Sequence, residues 1–71
     1  MMIKTQYNTI VNMDAVFSVS LRYMWPFRCG VHTDTPEGAT ALLGEYNSLE
    51  RAAEVLDGIF HCHQSRYTMP E

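Results

Sequence analysis

Positive charge is scarce in this chain. Of 71 residues only five are Lys or Arg, against eight Asp or Glu, which leaves a formal net charge of -3. A protein that grips duplex nucleic acid neutralises phosphates with clustered cations. Here Lys4, Arg22, Arg28, Arg51 and Arg66 are spread along the sequence, so duplex binding is not expected. Two cysteines, Cys29 and Cys62, are too few for the disulfide framework of a small secreted domain. No stretch approaches the roughly 20 apolar residues of a membrane helix. Met1 to Gln6 carries one charge and no long apolar run, so no signal peptide is expected and the expected compartment is the cytoplasm. There is no G-x-S-x-G, P-loop or dinucleotide fingerprint, and neither cysteine sits in a nucleophile motif. The chain is accordingly not expected to be an enzyme, and no cofactor is expected.

What is present is the composition of one folded domain, residues 1–71, with 46% hydrophobic and 18% charged residues. A domain this small buries only about 60% of the surface its unfolded chain exposes. Small domains make up the deficit with a metal, a disulfide or self-association, so a homo-oligomer is the expected state.

The hydrophobic pattern predicts an α+β fold, a small antiparallel sheet of about four strands followed by one amphipathic helix and a short last strand. Thr9 to Met13 is a short β-branched run. Val16 to Trp25 alternates, with Phe17, Val19, Leu21, Tyr23 and Trp25 on one face and Ser18, Ser20 and Arg22 on the other. Pro26 ends or bends that strand. Extended pattern resumes at Phe27, with Phe27, Cys29, Val31 and Thr33 sharing a face opposite Arg28, Gly30 and His32. The turn signal Asp34-Thr35-Pro36-Glu37-Gly38 then joins it to a strand over Ala39 to Tyr46. Asn47 and Ser48 are cap residues, and Asn47 with Glu50 approximates a capping box, for a helix from Leu49 to His63. Leu49, Ala52, Ala53, Leu56, Ile59 and Phe60 would form its buried stripe, with Val55 at the edge. Gly58 in mid-helix costs up to about 1 kcal/mol relative to Ala; the sequence offers no reason for it, and close packing against a neighbour is one that would account for it. Arg66 to Met69 is the short last strand, stopped by Pro70.

The segment Thr9-Ile-Val-Asn-Met-Asp-Ala-Val16 resembles the "TIVN-D-V" opening of a group of small uncharacterised proteins from Gram-positive bacteria and their phages. Leu43-Gly-Glu-Tyr46, Glu50-Arg-Ala52 and Val55-Leu56 resemble the "LG-Y…ERA--VL" block of that group, and Tyr67-Thr-Met-Pro70 its "Y-MP" ending. The likeness covers both ends of the chain and is poor between Ser18 and Ala41. The shared residues read as turns, caps and core. They imply a common fold and a mobile-element setting, and they bring no catalytic residues.

Two constellations carry chemistry. Cys29, His32, His61, Cys62 and His63 are zinc-ligand types. A metal is not favoured, because Cys29 and His32 fall on opposite faces of one strand, and His61 and His63 diverge around a helix. The second is Arg22-Tyr23-Met24-Trp25-Pro26-Phe27-Arg28. The simpler reading buries the aromatics against the helix and solvates the arginines. The functional reading is a binding surface of Arg22, Tyr23, Trp25, Arg28 and His32, since Trp, Tyr and Arg are enriched in interface hot spots. Three functions follow. The first is a non-enzymatic interaction module that binds, and by analogy inhibits, a host protein such as a defence component. The second is an oligomer that holds a small nucleotide-type ligand at a subunit boundary. The third is a zinc-stapled structural domain.

Overall fold

The computed structural model describes residues 1–71. The fold is α+β, with six strands, β1 (Met2–Lys4), β2 (Ile10–Asn12), β3 (Ser18–Met24), β4 (Arg28–Asp34), β5 (Thr40–Tyr46) and β6 (Arg66–Thr68), and one helix, α1 (Leu49–Phe60), between β5 and β6. The strands form two three-stranded sheets. One is a meander, β3-β4-β5, antiparallel throughout. The other has β1 at its centre, antiparallel to β2 and parallel to β6.

The meander follows the alternation in the sequence. Cys29, Val31 and Thr33 are buried on the inner face of β4, and Arg28, Gly30, His32 and Asp34 share the other. The register of β3 on β4 is regular from Ser18↔Asp34 to Met24↔Arg28. Between β4 and β5 it shifts, since Val31 faces Gly44 while His32 faces Leu42. Leu43 is the extra residue of this bulge, and it is completely buried. A bulge re-aims one side chain at the cost of a ladder position. Here it drives Leu43 into the core and frees its carbonyl for Gln6 N–H, 3.0 Å away.

The small sheet was not legible as a sheet. Its first strand, β1, has three residues and no usable period, yet its Ile3 is fully buried. Ile3 joins Cys29, Val31, Leu43, Tyr46, Ala52, Val55, Ile59 and Met69 in one core shared by both sheets and the helix. The β1–β2 connection is fastened by Thr5, whose Oγ1 accepts the N–H groups of Tyr7 and Thr9, each at 3.2 Å.

The helix departs from its expected bounds and face. Of the two expected cap residues it is Ser48 that caps α1, its Oγ accepting Arg51 N–H at 3.1 Å. Asn47 is drawn away because its Oδ1 accepts from Arg28 Nη1, also at 3.1 Å. The helix ends at Phe60 rather than His63, where both the backbone N–H and the ring Nδ1 of His61 meet the Asp57 carbonyl. A carbonyl can only accept, so Nδ1 carries the proton. The buried residues are Ala52, Val55 and Ile59, which makes Val55 central, while Leu49, Ala53 and Phe60 face solvent. Gly58 is explained by its neighbour, since a Cβ there would lie 2.9 Å from the Tyr67 hydroxyl.

Candidate functional site

The hairpin between β3 and β4 overturns the expectation that its aromatics fill the core. The chain does not run extended through Pro26. It reverses over Trp25, Pro26 and Phe27, with Met24 facing Arg28 at the neck and a cis Trp25–Pro26 bond in the turn. Val19 and Leu21 pack on the core as alternation requires. Tyr23 continues their row beyond the edge of that core and is 76% exposed, while Trp25 and Phe27 are each 93% exposed. With Met24 and Pro26 they surround a shallow hollow of about 290 Å³. Phe27 has φ 59°, in the left-handed region. That conformation costs a residue with a Cβ roughly 1–2 kcal/mol, and glycine or asparagine normally supplies it. The tip therefore carries two costs, strain and exposed aromatic surface, without a contribution to the core.

Arg22 and Arg28 do share the outer face of the meander, because the hairpin register sets Arg22 opposite Gly30 and Met24 opposite Arg28. Their surroundings differ. Arg28 is engaged within the chain, bonded to Asn47 and with Nε 3.9 Å from Glu45 Oε2. Arg22 is exposed and makes no ion pair or side-chain hydrogen bond.

His32 lies farther along the same face, its side chain only 14% exposed. Its Nε2 is 3.2 Å from Ser20 Oγ and its Nδ1 is 3.6 Å from Asp34 Oδ1, while Ser18 Oγ donates to Asp34 Oδ2 at 3.4 Å. Hydroxyl, imidazole and carboxylate in this order are the parts of an acyl-transfer site. The other requirements are a substrate hollow and donors for an oxyanion. Neither Ser20 nor His32 lines any hollow of the molecule. The three groups form a polar seam across the strands in which His32 Nδ1 is buried without a hydrogen bond, and no reaction step is assigned to them.

The zinc-type residues are dispersed. Cys29 is buried on the inner face and His32 lies on the outer one, His61 closes the helix, and Cys62 Sγ approaches the Gln64 and Arg66 carbonyls. No three His, Cys, Asp or Glu side chains converge on a point.

A groove of about 370 Å³ between the end of β5 and the start of α1 was not foreseen. Its charged and polar walls include Gln6, Arg28, Glu45, Asn47, Ser48 and Arg51. Arg51 is held by Glu54 at 3.5 Å and by the Glu71 carbonyl at 3.3 Å, and lies over the Tyr46 ring. Cations and carboxylates here answer one another, so the groove presents little uncompensated charge. No helix is long and apolar enough to cross a membrane.

Compared with protein-family models, curated proteins and solved structures, the chain matches none.

Proposed function

We propose that this chain is a non-enzymatic interaction module whose recognition element is the tip of the β3–β4 hairpin. The observation that supports the reading is the solvent exposure of Tyr23, Trp25 and Phe27 together on one turn. Contiguous exposed aromatics rarely stand on a soluble surface without a use. Trp, Tyr and Arg supply most hot-spot energy at protein interfaces, and Arg22 stands beside the tip without a partner of its own. The resemblance of the chain ends to small proteins of Gram-positive bacteria and their phages supports a host protein as the partner class, with inhibition of a defence component as the role by analogy.

The test compares three forms of the chain in capture from host lysate, then in titration against the purified captured protein. Trp25→Ser with Phe27→Ser is expected to weaken binding by about 30-fold or more, the effect of losing a hot spot of about 2 kcal/mol. Phe60→Ser, which removes a largely exposed aromatic elsewhere, is expected to leave affinity unchanged. Full affinity in the tip variant rejects the assignment.

A small anionic ligand is the second reading, favoured by the unpaired guanidinium of Arg22, which can grip a phosphate bidentately. Arg28 and His32 were its other expected contacts, and each already has partners within the chain. If a nucleotide binds, Arg22→Ala should abolish its calorimetric signal. Unchanged binding in that variant rejects this site.

A further inference from the structure

The two sheets have four edge strands, β2, β6, β3 and β5. An open edge is a template for another strand, and soluble proteins shorten, cover, bulge or pair it. Strands β2 and β6 have only three residues each. The free side of β5 is closed by Gln6, whose backbone N–H donates to the Leu43 carbonyl and whose Oε1 accepts Glu45 N–H at 2.7 Å. Strand β3 has none of these protections. It is seven residues long, pairs regularly with β4, contains neither proline nor lysine, and makes no backbone hydrogen bond on its other side.

We propose that β3 pairs antiparallel with β3 of a second copy of this chain, about a twofold axis through Ser20, fusing two three-stranded sheets into one of six. An isologous interface must be self-complementary, and this register makes β3 so on both faces. It sets Arg22 opposite Ser18 of the other copy. Ser18 is the cross-strand partner of Asp34 and donates to its carboxylate. The one arginine of the outer face with no ion pair therefore lies in the row that ends in the other copy's Asp34, and symmetry repeats the arrangement. On the inner face Val19 meets Leu21, and Phe17 meets Tyr23. Those two aromatics are 77% and 76% exposed in the single chain, and aromatic cross-strand pairs stabilise a sheet. Moving the axis to Leu21 would set Arg22 against Ser20 and Phe17 against Trp25 in the turn, losing both matches. With the axis at Ser20 the two hairpin tips point in opposite directions, with Trp25 roughly 35 Å from its copy at about 3.4 Å per residue. The pairing takes up Tyr23 and Arg22 and leaves Trp25 and Phe27 free, so it and partner binding through those two rings can fail separately.

Sedimentation velocity and cross-linking of the purified chain test the proposal. A dimer of the 8.1 kDa chain is expected, weakened about tenfold by Arg22→Asp and unchanged by Trp25→Ser with Phe27→Ser. In a Cys62→Ser background, Ser20→Cys should cross-link to itself with a short bis-maleimide. Ser18→Cys should cross-link only when mixed with Arg22→Cys. A monomer at high micromolar concentration overturns the pairing and leaves the edge open to a strand from a different protein. A dimer in which Ser18→Cys links to itself while Ser20→Cys does not also overturns it.

Discussion

Gln6 donates its side-chain amide to the Pro70 carbonyl at 2.8 Å, joining the first connection of the chain to its last residues. The same amide accepts Glu45 N–H, so one side chain ties the β1–β2 loop, the free side of β5 and the C-terminal segment together. Gly44 makes room for it, since a Cβ there would lie 2.9 Å from the Gln6 side chain. Removing Gln6 strips Glu45 N–H of its partner, while Pro70 keeps the Tyr46 hydroxyl. Gln6→Ala should therefore destabilise the fold by about 1 kcal/mol or more in urea titration, the cost of an unsatisfied, partly buried donor. A loss well under that figure would show that water replaces the amide.

Gly58 and Tyr67 should be energetically coupled. Replacing a helical glycine by alanine ordinarily gains up to about 1 kcal/mol. Here the new methyl would press on the Tyr67 hydroxyl, whose next ring atom is 3.8 Å from the Cβ position. Gly58→Ala should thus gain little in the native sequence and approach its full gain when Tyr67 is already Phe. Equal effects in both backgrounds would remove the steric account of this glycine.

Stability should fall in alkaline solution. Burial raises the pKa of the Tyr46 hydroxyl, with a smaller contribution from Tyr67 and an opposing one from Arg51. Burial likewise raises Tyr67, helped by Cys62 and opposed by Arg51. Both hydroxyls release their protons more readily in the unfolded chain, so above about pH 10 the unfolded state binds fewer protons and gains relative to the native state. The contribution is complete below that pH and is lost as pH climbs toward the raised native values. Unfolding titrations at pH 8, 10 and 11 should show the decline, and it should be shallower in Tyr67→Phe.

Relieving the tip should stabilise the fold while harming recognition. Asparagine tolerates the left-handed backbone better than phenylalanine. Phe27→Asn should therefore raise stability by about 0.5–1 kcal/mol and weaken partner binding. A variant that loses stability would mean that the Phe27 ring supports the turn despite its exposure.

How much of this was legible in the sequence differs from element to element. The β4–β5 hairpin was, because Cys29, Val31 and Thr33 alternate cleanly and Asp34 to Gly38 spells a turn. The last strand was seen at Arg66, but its parallel neighbour at Met2–Lys4 was not. Three residues carry no period, and the pairing is set by Ile3 and Met69 meeting in a distant core. The helix face was misjudged by a fraction of a turn, since a narrow sheet covers Val55 and leaves Leu49 and Phe60 outside. At the candidate site the residue types were visible and their setting was not. Alternation correctly placed Val19 and Leu21 inward, yet cannot say where the core stops, and Tyr23, Trp25 and Phe27 lie beyond that limit. Arg51 and Gln6 gave no signal and Asn47 read only as a helix cap, because a groove wall assembled from three segments leaves no local pattern.

The parallel seam between β1 and β6 imposes an order on biosynthesis. Met2 pairs with Arg66, so β1 waits for a strand synthesised after β3, β4, β5 and α1. The meander closes contacts between successive strands, and the helix docks chiefly on strands no farther back than β3. Such shorter loops form earlier than the β1–β6 seam. A nascent chain would therefore emerge with β3, β4, β5 and α1 able to assemble while Ile3 still lacks Met69. Pulse-labelled hydrogen exchange during refolding should find the amides of β1 and β6 acquiring protection together, after those of β4. A finished meander waiting on an unzipped first strand would be the species most exposed to chaperones and proteases.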